Sequence, residues 1–150
     1  MSTIAIPDIE LGVPRLNSRG YPDSTACRAL RNVQRAEFGH RPLSYICSPY
    51  SGNVAANVEL ARAFCAFAVT QRVIPLAPHL LFPQFMDDAD SDQRELAMFF
   101  NRVLLSKCDG IWVYTARVSP GMRTEIDWAQ GMGLPVSFFD ADFEEVIADA

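Results

Sequence analysis

Apolar positions along this chain switch between two periods. Short apolar runs at Leu43–Cys47, Val73–Leu76, Gly110–Tyr114 and Val136–Phe139 are too brief for helices and are bounded by Gly, Pro, Ser or Asp, so each predicts a strand. Between them lie longer segments whose apolar residues recur three and four apart. Val58, Ala61, Phe64, Cys65 and Ala68 place a helix over about 54–71, with Asn53 or a neighbour as its cap. Leu96, Phe99, Phe100, Val103 and Leu104 place a second over about 91–107. A third opens at Ser119-Pro120-Gly121, with Pro at the first helical position, where its missing N–H costs nothing, and ends near Gly131 or Gly133. Asp142–Ala148 predicts a short final helix, and the stretch 77–92 is expected to be irregular.

Upstream, residues 1–20 are rich in Pro, Gly, Asn and Ser and read as an arm. Tyr21-Pro22-Asp23-Ser24 starts a helix running to about Phe38 and stopped by Gly39. Its stripe (Ala26, Leu30, Val33) is thin, so residues 1–40 are expected to pack on the main domain, 41–150, or on a second subunit.

Strands alternating with helices predict an α/β fold: a flavodoxin-like three-layer sandwich with a parallel sheet of four to five strands, order 2-1-3-4. Ligands of such sheets sit at the C-terminal ends of the strands where the winding reverses, here strands one and three. Two loops then face the ligand, Ser48–Gly52 and Thr115–Gly121.

Composition narrows the classes of function. The chain has 150 residues, 49% of them hydrophobic and 21% charged, enough for one core without metal or disulfide staples. A net charge of -5 lacks the basic face that a nucleic acid polymer demands. The four cysteines (Cys27, Cys47, Cys65, Cys108) are far apart, contain no C-x-x-C and are joined by only two histidines, so no metal site is expected. Three of the thiols fall in apolar segments, as reduced cysteines of a cytoplasmic protein do. The start, MSTIAIPDIELGVPRLN, does not read as a signal peptide, and no run of 18 apolar residues predicts a membrane partner. Neither the P-loop nor the G-x-G-x-x-G pattern occurs, which removes most of the support for an ATPase or a dinucleotide enzyme; no cofactor is expected.

The third helix carries the most informative residue. At 100° per residue, Met122, Ile126, Ala129 and Gly133 form its apolar stripe, while Arg123, Asp127 and Gln130 face solvent. Glu125 falls on the flank of the stripe, and its side chain leans over the turn of Gly121 and Met122 toward the expected crevice. Partly apolar surroundings there should raise its pKa. Bland readings stand beside this one. Glu125 also suits a helix edge offsetting the dipole, Ser119 a simple cap, Tyr45 and Cys47 the core, and His79 a structural role. Asp87, Asp88 and Asp90 read as a solvated loop and a helix start.

Taken together, Y-I-C-S-P-Y-S-G (Tyr45–Gly52) and S-P-G-M-R-T-E (Ser119–Glu125) resemble the nucleoside 2-deoxyribosyltransferase-like superfamily, which includes 2'-deoxynucleoside 5'-monophosphate N-glycosidases. The likeness spans about 44–136 and is closest to uncharacterised bacterial and phage domains with a Y-x-C-S-P-Y-x-G motif. His79 matches a His after strand two, and Asp109 the Asp that opens strand three. The resemblance implies that Glu125 attacks C1' of a (deoxy)ribose, oriented by Tyr45, to leave a glycosyl-enzyme that water or another base resolves. It assigns Ser119 and Gly121 to a 5'-phosphate or 5'-hydroxyl, His79 and Tyr50 to the base or to closing the pocket, and Ser48, Gly52, Asp109 and Met122 to binding of the nucleoside or nucleotide. It further implies a homo-oligomer.

Two positions depart from that pattern. Where family enzymes often carry an Asp, eight residues before the strand-three Asp, this chain has Asn101 in the catalytic set. The monophosphate hydrolases place Ser and Arg in the first loop for phosphate; here Pro49 and Ser51 stand instead. The rival expectations are a non-catalytic module that binds a nucleotide or ribosyl ligand, and an assembly role for the arm and first helix.

Overall fold

The computed structural model describes Val33 and residues 37–147. The chain divides into two units, Met1–His40 and Arg41–Ala150. Of the first, Val33, Glu37 and Phe38 are helical and Gly39 follows at φ +79°, the left-handed conformation that glycine adopts after a helix. The arm and the body of the expected first helix lie outside the described residues.

In the second unit the order is β1 (Leu43–Cys47), α1 (Val54–Thr70), β2 (Ile74–Leu76), α2 (Pro78–Leu81), a 3-10 turn (Phe82–Gln84), α3 (Ser91–Ser106), β3 (Gly110–Tyr114), α4 (Pro120–Gly131), β4 (Val136–Phe139) and β5 (Glu145–Val146). The five strands form one sheet, order β2-β1-β3-β4-β5. β1 runs parallel to β2 (Leu43 beside Ile74) and to β3 (Tyr45 beside Ile111), and β3 parallel to β4 (Ile111 beside Val136). Only β5 is antiparallel, pairing Phe138 with Val146. The flavodoxin-like α/β expectation holds, with the winding reversed between β1 and β3.

Strand alternation divides the core in two. Tyr45, Cys47, Ile111 and Val113 enter one side, where Leu105 of α3 and Met122 and Ala129 of α4 meet them. Ile46 and Tyr114 enter the other, against Phe64 and Ala68 of α1. Gly110 lets β3 pass close to the loop before β4, where a Cβ would lie a tight 3.1 Å from the Pro135 carbonyl oxygen. Side-chain caps start the three long helices: Asn53 accepts from the Ala56 N–H, Asp90 from Asp92 and Gln93, and Ser119 from Met122.

Two local expectations are corrected. The segment expected as a final helix over Asp142–Ala148 contains β5 instead; residues 148–150 lie outside the described part. The Asp140 carboxylate accepts from the N–H groups of Asp142 and Glu144, and Phe143 takes φ +59°, which turns the chain back into a hairpin. The stretch 77–92 is not irregular throughout, since Pro78 and Pro83 each sit in the first turn of a short helical segment.

Candidate active site

At the C-terminal ends of β1 and β3 lies a cavity of about 280 Å³. That volume is near the lower end for small-molecule sites and suits a ligand of nucleoside size. Four segments wall it. The β1–α1 loop contributes Ser48, Tyr50 and Ser51; α2 and the turns after it contribute Pro78, His79, Phe82, Pro83, Met86, Asp87 and Asp88. From α3 come Gln93, Arg94, Ala97, Met98 and Asn101, and from the start of α4 Ser119, Pro120, Gly121, Met122 and Glu125.

Glu125 is half-buried in this wall. Burial pushes its carboxyl up to about 7, although side-chain hydrogen bonds from Tyr45 and Cys47 pull the other way. Both donors hang from the same face of β1, two residues apart, and are buried beneath the carboxylate. Their own ionisation is pushed well above the ordinary range, chiefly by burial and then by the charge of Glu125, so both stay protonated donors. The Cys47 thiol also lies 3.7 Å from the Met122 carbonyl oxygen, which ties β1 to the first turn of α4.

Across the cavity, Ser48 Oγ and His79 Nε2 are hydrogen bonded at 2.8 Å. Burial lowers His79 to about 4, so it is a neutral imidazole at physiological pH. Asn101 donates weakly to Met98 Sδ at 3.8 Å, while its Oδ1 is buried without a partner. A buried acceptor left open in a cavity wall is suited to a donor on a ligand. At the start of α4, Gly121 leaves room, its absent Cβ having only Ser119 Oγ near, at 3.9 Å.

The structure therefore gathers Ser48, Tyr50, His79, Asn101, Ser119, Gly121, Met122 and Glu125 around one cavity, with Tyr45 directly behind Glu125. Two expected residues are not there. Asp109 lies at the opposite end of the sheet, where its carboxylate accepts from the Leu43 N–H at 2.8 Å and holds β1 to the start of β3. Gly52 is not in the wall; at φ +97° it shapes the turn into α1. Asp90, expected at a helix start, is the α3 cap.

One important residue escaped the sequence reading. Asn57 is 1% exposed; its Nδ2 donates to the carbonyls of Tyr50 and Ser51, at 2.9 and 3.0 Å, and its Oδ1 accepts from Arg117. It thereby joins the two loops that flank the cavity. The signal was an amide on the stripe Asn57, Ala61, Phe64, Ala68, which is otherwise apolar.

The family model of a domain of unknown function, DUF7768, matches residues 42–139. The chain belongs to the DUF7768 family. No curated protein matches its sequence. Among solved structures, this DUF7768 member shares its fold with a 2-deoxyribosyltransferase from Bacillus psychrosaccharolyticus, at TM-score 0.51 and 15% identity, over 70% of this chain and 76% of that one. A 2-deoxyribosyltransferase from Leishmania mexicana is similar at TM-score 0.47 and 18% identity, over 67% and 65% of the two chains. Among the described residues no helix is long and apolar enough to cross a membrane.

Proposed function

We propose that this DUF7768 domain cleaves the N-glycosidic bond of a nucleoside-type ligand, with Glu125 as the nucleophile. The observation that carries this reading is a carboxylate at a nucleoside-sized cavity, held from below by Tyr45 and Cys47. Attack by a Glu125 oxygen on C1' forms an ester as the C1'–N bond breaks and its electron pair leaves with the base. Water, or a second base, then takes the glycosyl group and restores the carboxylate. Tyr45 and Cys47 orient the carboxylate; Ser119, Gly121 and Met122 border the 5' end of the sugar; Ser48, Tyr50, His79 and Asn101 border the base.

Incubation with a panel of nucleosides and 5'-monophosphates should release free base. Glu125→Gln should lower that rate by at least about 10³-fold, with an unchanged circular dichroism spectrum. Release that persists in the variant refutes the role of Glu125. A second reading, a module that binds such a ligand without cleaving it, is favoured by one observation: Asn101, which cannot donate a titrating proton, stands where enzymes of the resembled family often carry an Asp. Tight binding with no base released by either protein would select it. Assembly into a homo-oligomer is part of the proposal, supported by Leu96, Phe99 and Val103 exposed on one face of α3. Light scattering that finds a monomer at every concentration removes that part.

A further inference from the structure

At the base end of the cavity Asn101 stands where enzymes of the resembled family often carry an Asp, so that position offers no carboxylic acid. Breaking a neutral nucleoside expels the base as an anion unless a proton arrives, and a positioned donor typically contributes about 10²–10⁴-fold to such a step. Asn101 does not titrate, and His79 is a neutral imidazole paired with Ser48. The negative groups of the wall point the same way. Asp87, Asp88 and Glu125 face the cavity with Arg94 as the one cationic side chain beside a neutral His79, an excess of carboxylates that opposes a phosphate and attracts a cation. In addition, the orphaned Asn101 Oδ1 calls for an N–H or O–H donor on the ligand.

Building on the nucleophilic reading of Glu125, we propose that the substrate class is the cationic N-glycosides, whose base carries a positive charge in the ring and departs neutral: N-ribosylpyridinium carboxamides and N7-alkylated purine nucleosides. Electron bookkeeping closes without an acid. Glu125 Oε forms the bond to C1', the C1'–N⁺ pair passes to the ring nitrogen, and the base leaves uncharged. Water next bonds to C1', the ester pair returns to Glu125, and the water proton goes to solvent. A carboxamide N–H supplies the donor that Asn101 Oδ1 lacks. The cation also stabilises the ionised form of Glu125, so that substrate binding activates the nucleophile.

The test compares hydrolysis of nicotinamide riboside and 7-methylguanosine with that of guanosine and uridine by the full chain at pH 7.5. The two cations should be cleaved with kcat/KM at least about 10²-fold higher than the neutral nucleosides, the size of a missing acid. Asn101→Asp restores a titratable group and should shrink that ratio by at least about tenfold, by speeding the neutral substrates more than the cations. Neutral nucleosides cleaved as fast as the cations, or a ratio unmoved in a folded Asn101→Asp, overturns the inference and leaves the nucleophilic reading intact. Should that variant not fold, the ratio of 7-methylguanosine to guanosine in the wild type decides. No cleavage of any of the four overturns the inference, and the nucleophilic reading falls with it only if the wider nucleoside and nucleotide panel also releases no base.

Discussion

The two faces of the sheet are built from alternate residues of the same strands, yet they are held by opposite physics. On the α1 side, Phe64 stacks on Phe143 at 5.2 Å and meets Phe139 edge-on at 5.5 Å, while Phe67 stacks on Phe143 at 5.5 Å and Trp112 lies 4.3 Å from Phe139. This side is a packed aromatic layer whose burial is favourable throughout. On the α3–α4 side, Tyr45 and Cys47 bring their polar ends to a carboxylate that burial disfavours. A strand that alternates Tyr45, Ile46, Cys47 serves both at once. One face supplies the rigidity with which the other can hold a strained ionisable group.

Breaking the comparison at its stronger side should have the largest effect. Phe64 is fully buried with four aromatic neighbours. Phe64→Ala removes that packing and should cost ~3–5 kcal/mol in urea unfolding. Because no titratable group of the cavity is altered, the loss should be the same at pH 5 and pH 8. A loss confined to one pH would mean that the aromatic layer and the carboxylate are not separable as described.

What the sequence disclosed follows the same division. The parallel strands and long helices are legible because each shows an apolar run or stripe, although on α3 Leu96, Phe99 and Val103 of that stripe are exposed, and the angular position of Glu125 follows from its flank of Met122 and Ala129. Long-range partners were not legible. The segment of β5 reads as a helix because its hairpin depends, beyond the local Asp140 turn, on Phe143 seating among Phe64 and Phe67, about 80 residues away in sequence. Asp109 was carried to the site by resemblance, whereas the parallel register puts the start of β3 at the far end from the ligand. Cys47 reads as core and is buried there, on the same face as Tyr45 two residues away; its hydrogen bond to Glu125 is what the pattern does not show. Its partner, Glu125, lies 78 residues on, beyond any local pattern.

The smaller and more specific effect lies on the polar side, and its sign is fixed by linkage. In the unfolded chain Glu125 titrates near 4.5, and in the folded protein near 7. The folded state therefore holds the proton more tightly, and the site destabilises it increasingly as pH rises from 4.5 to 7, by roughly 3 kcal/mol once both states are ionised. His79 runs the other way: its folded value near 4 lies below the ordinary 6.5, so its cost appears as pH falls through that interval. Wild type and Glu125→Gln share that histidine term, and it cancels from their difference. The stability of Glu125→Gln relative to wild type should thus climb between pH 4.5 and 7 and level off above, reaching on the order of 10 °C in Tm. Thermal unfolding of both proteins across that range measures it. A difference that stays flat with pH would place the carboxylate in water rather than over the cavity, and the contrast between the two faces would then be lost.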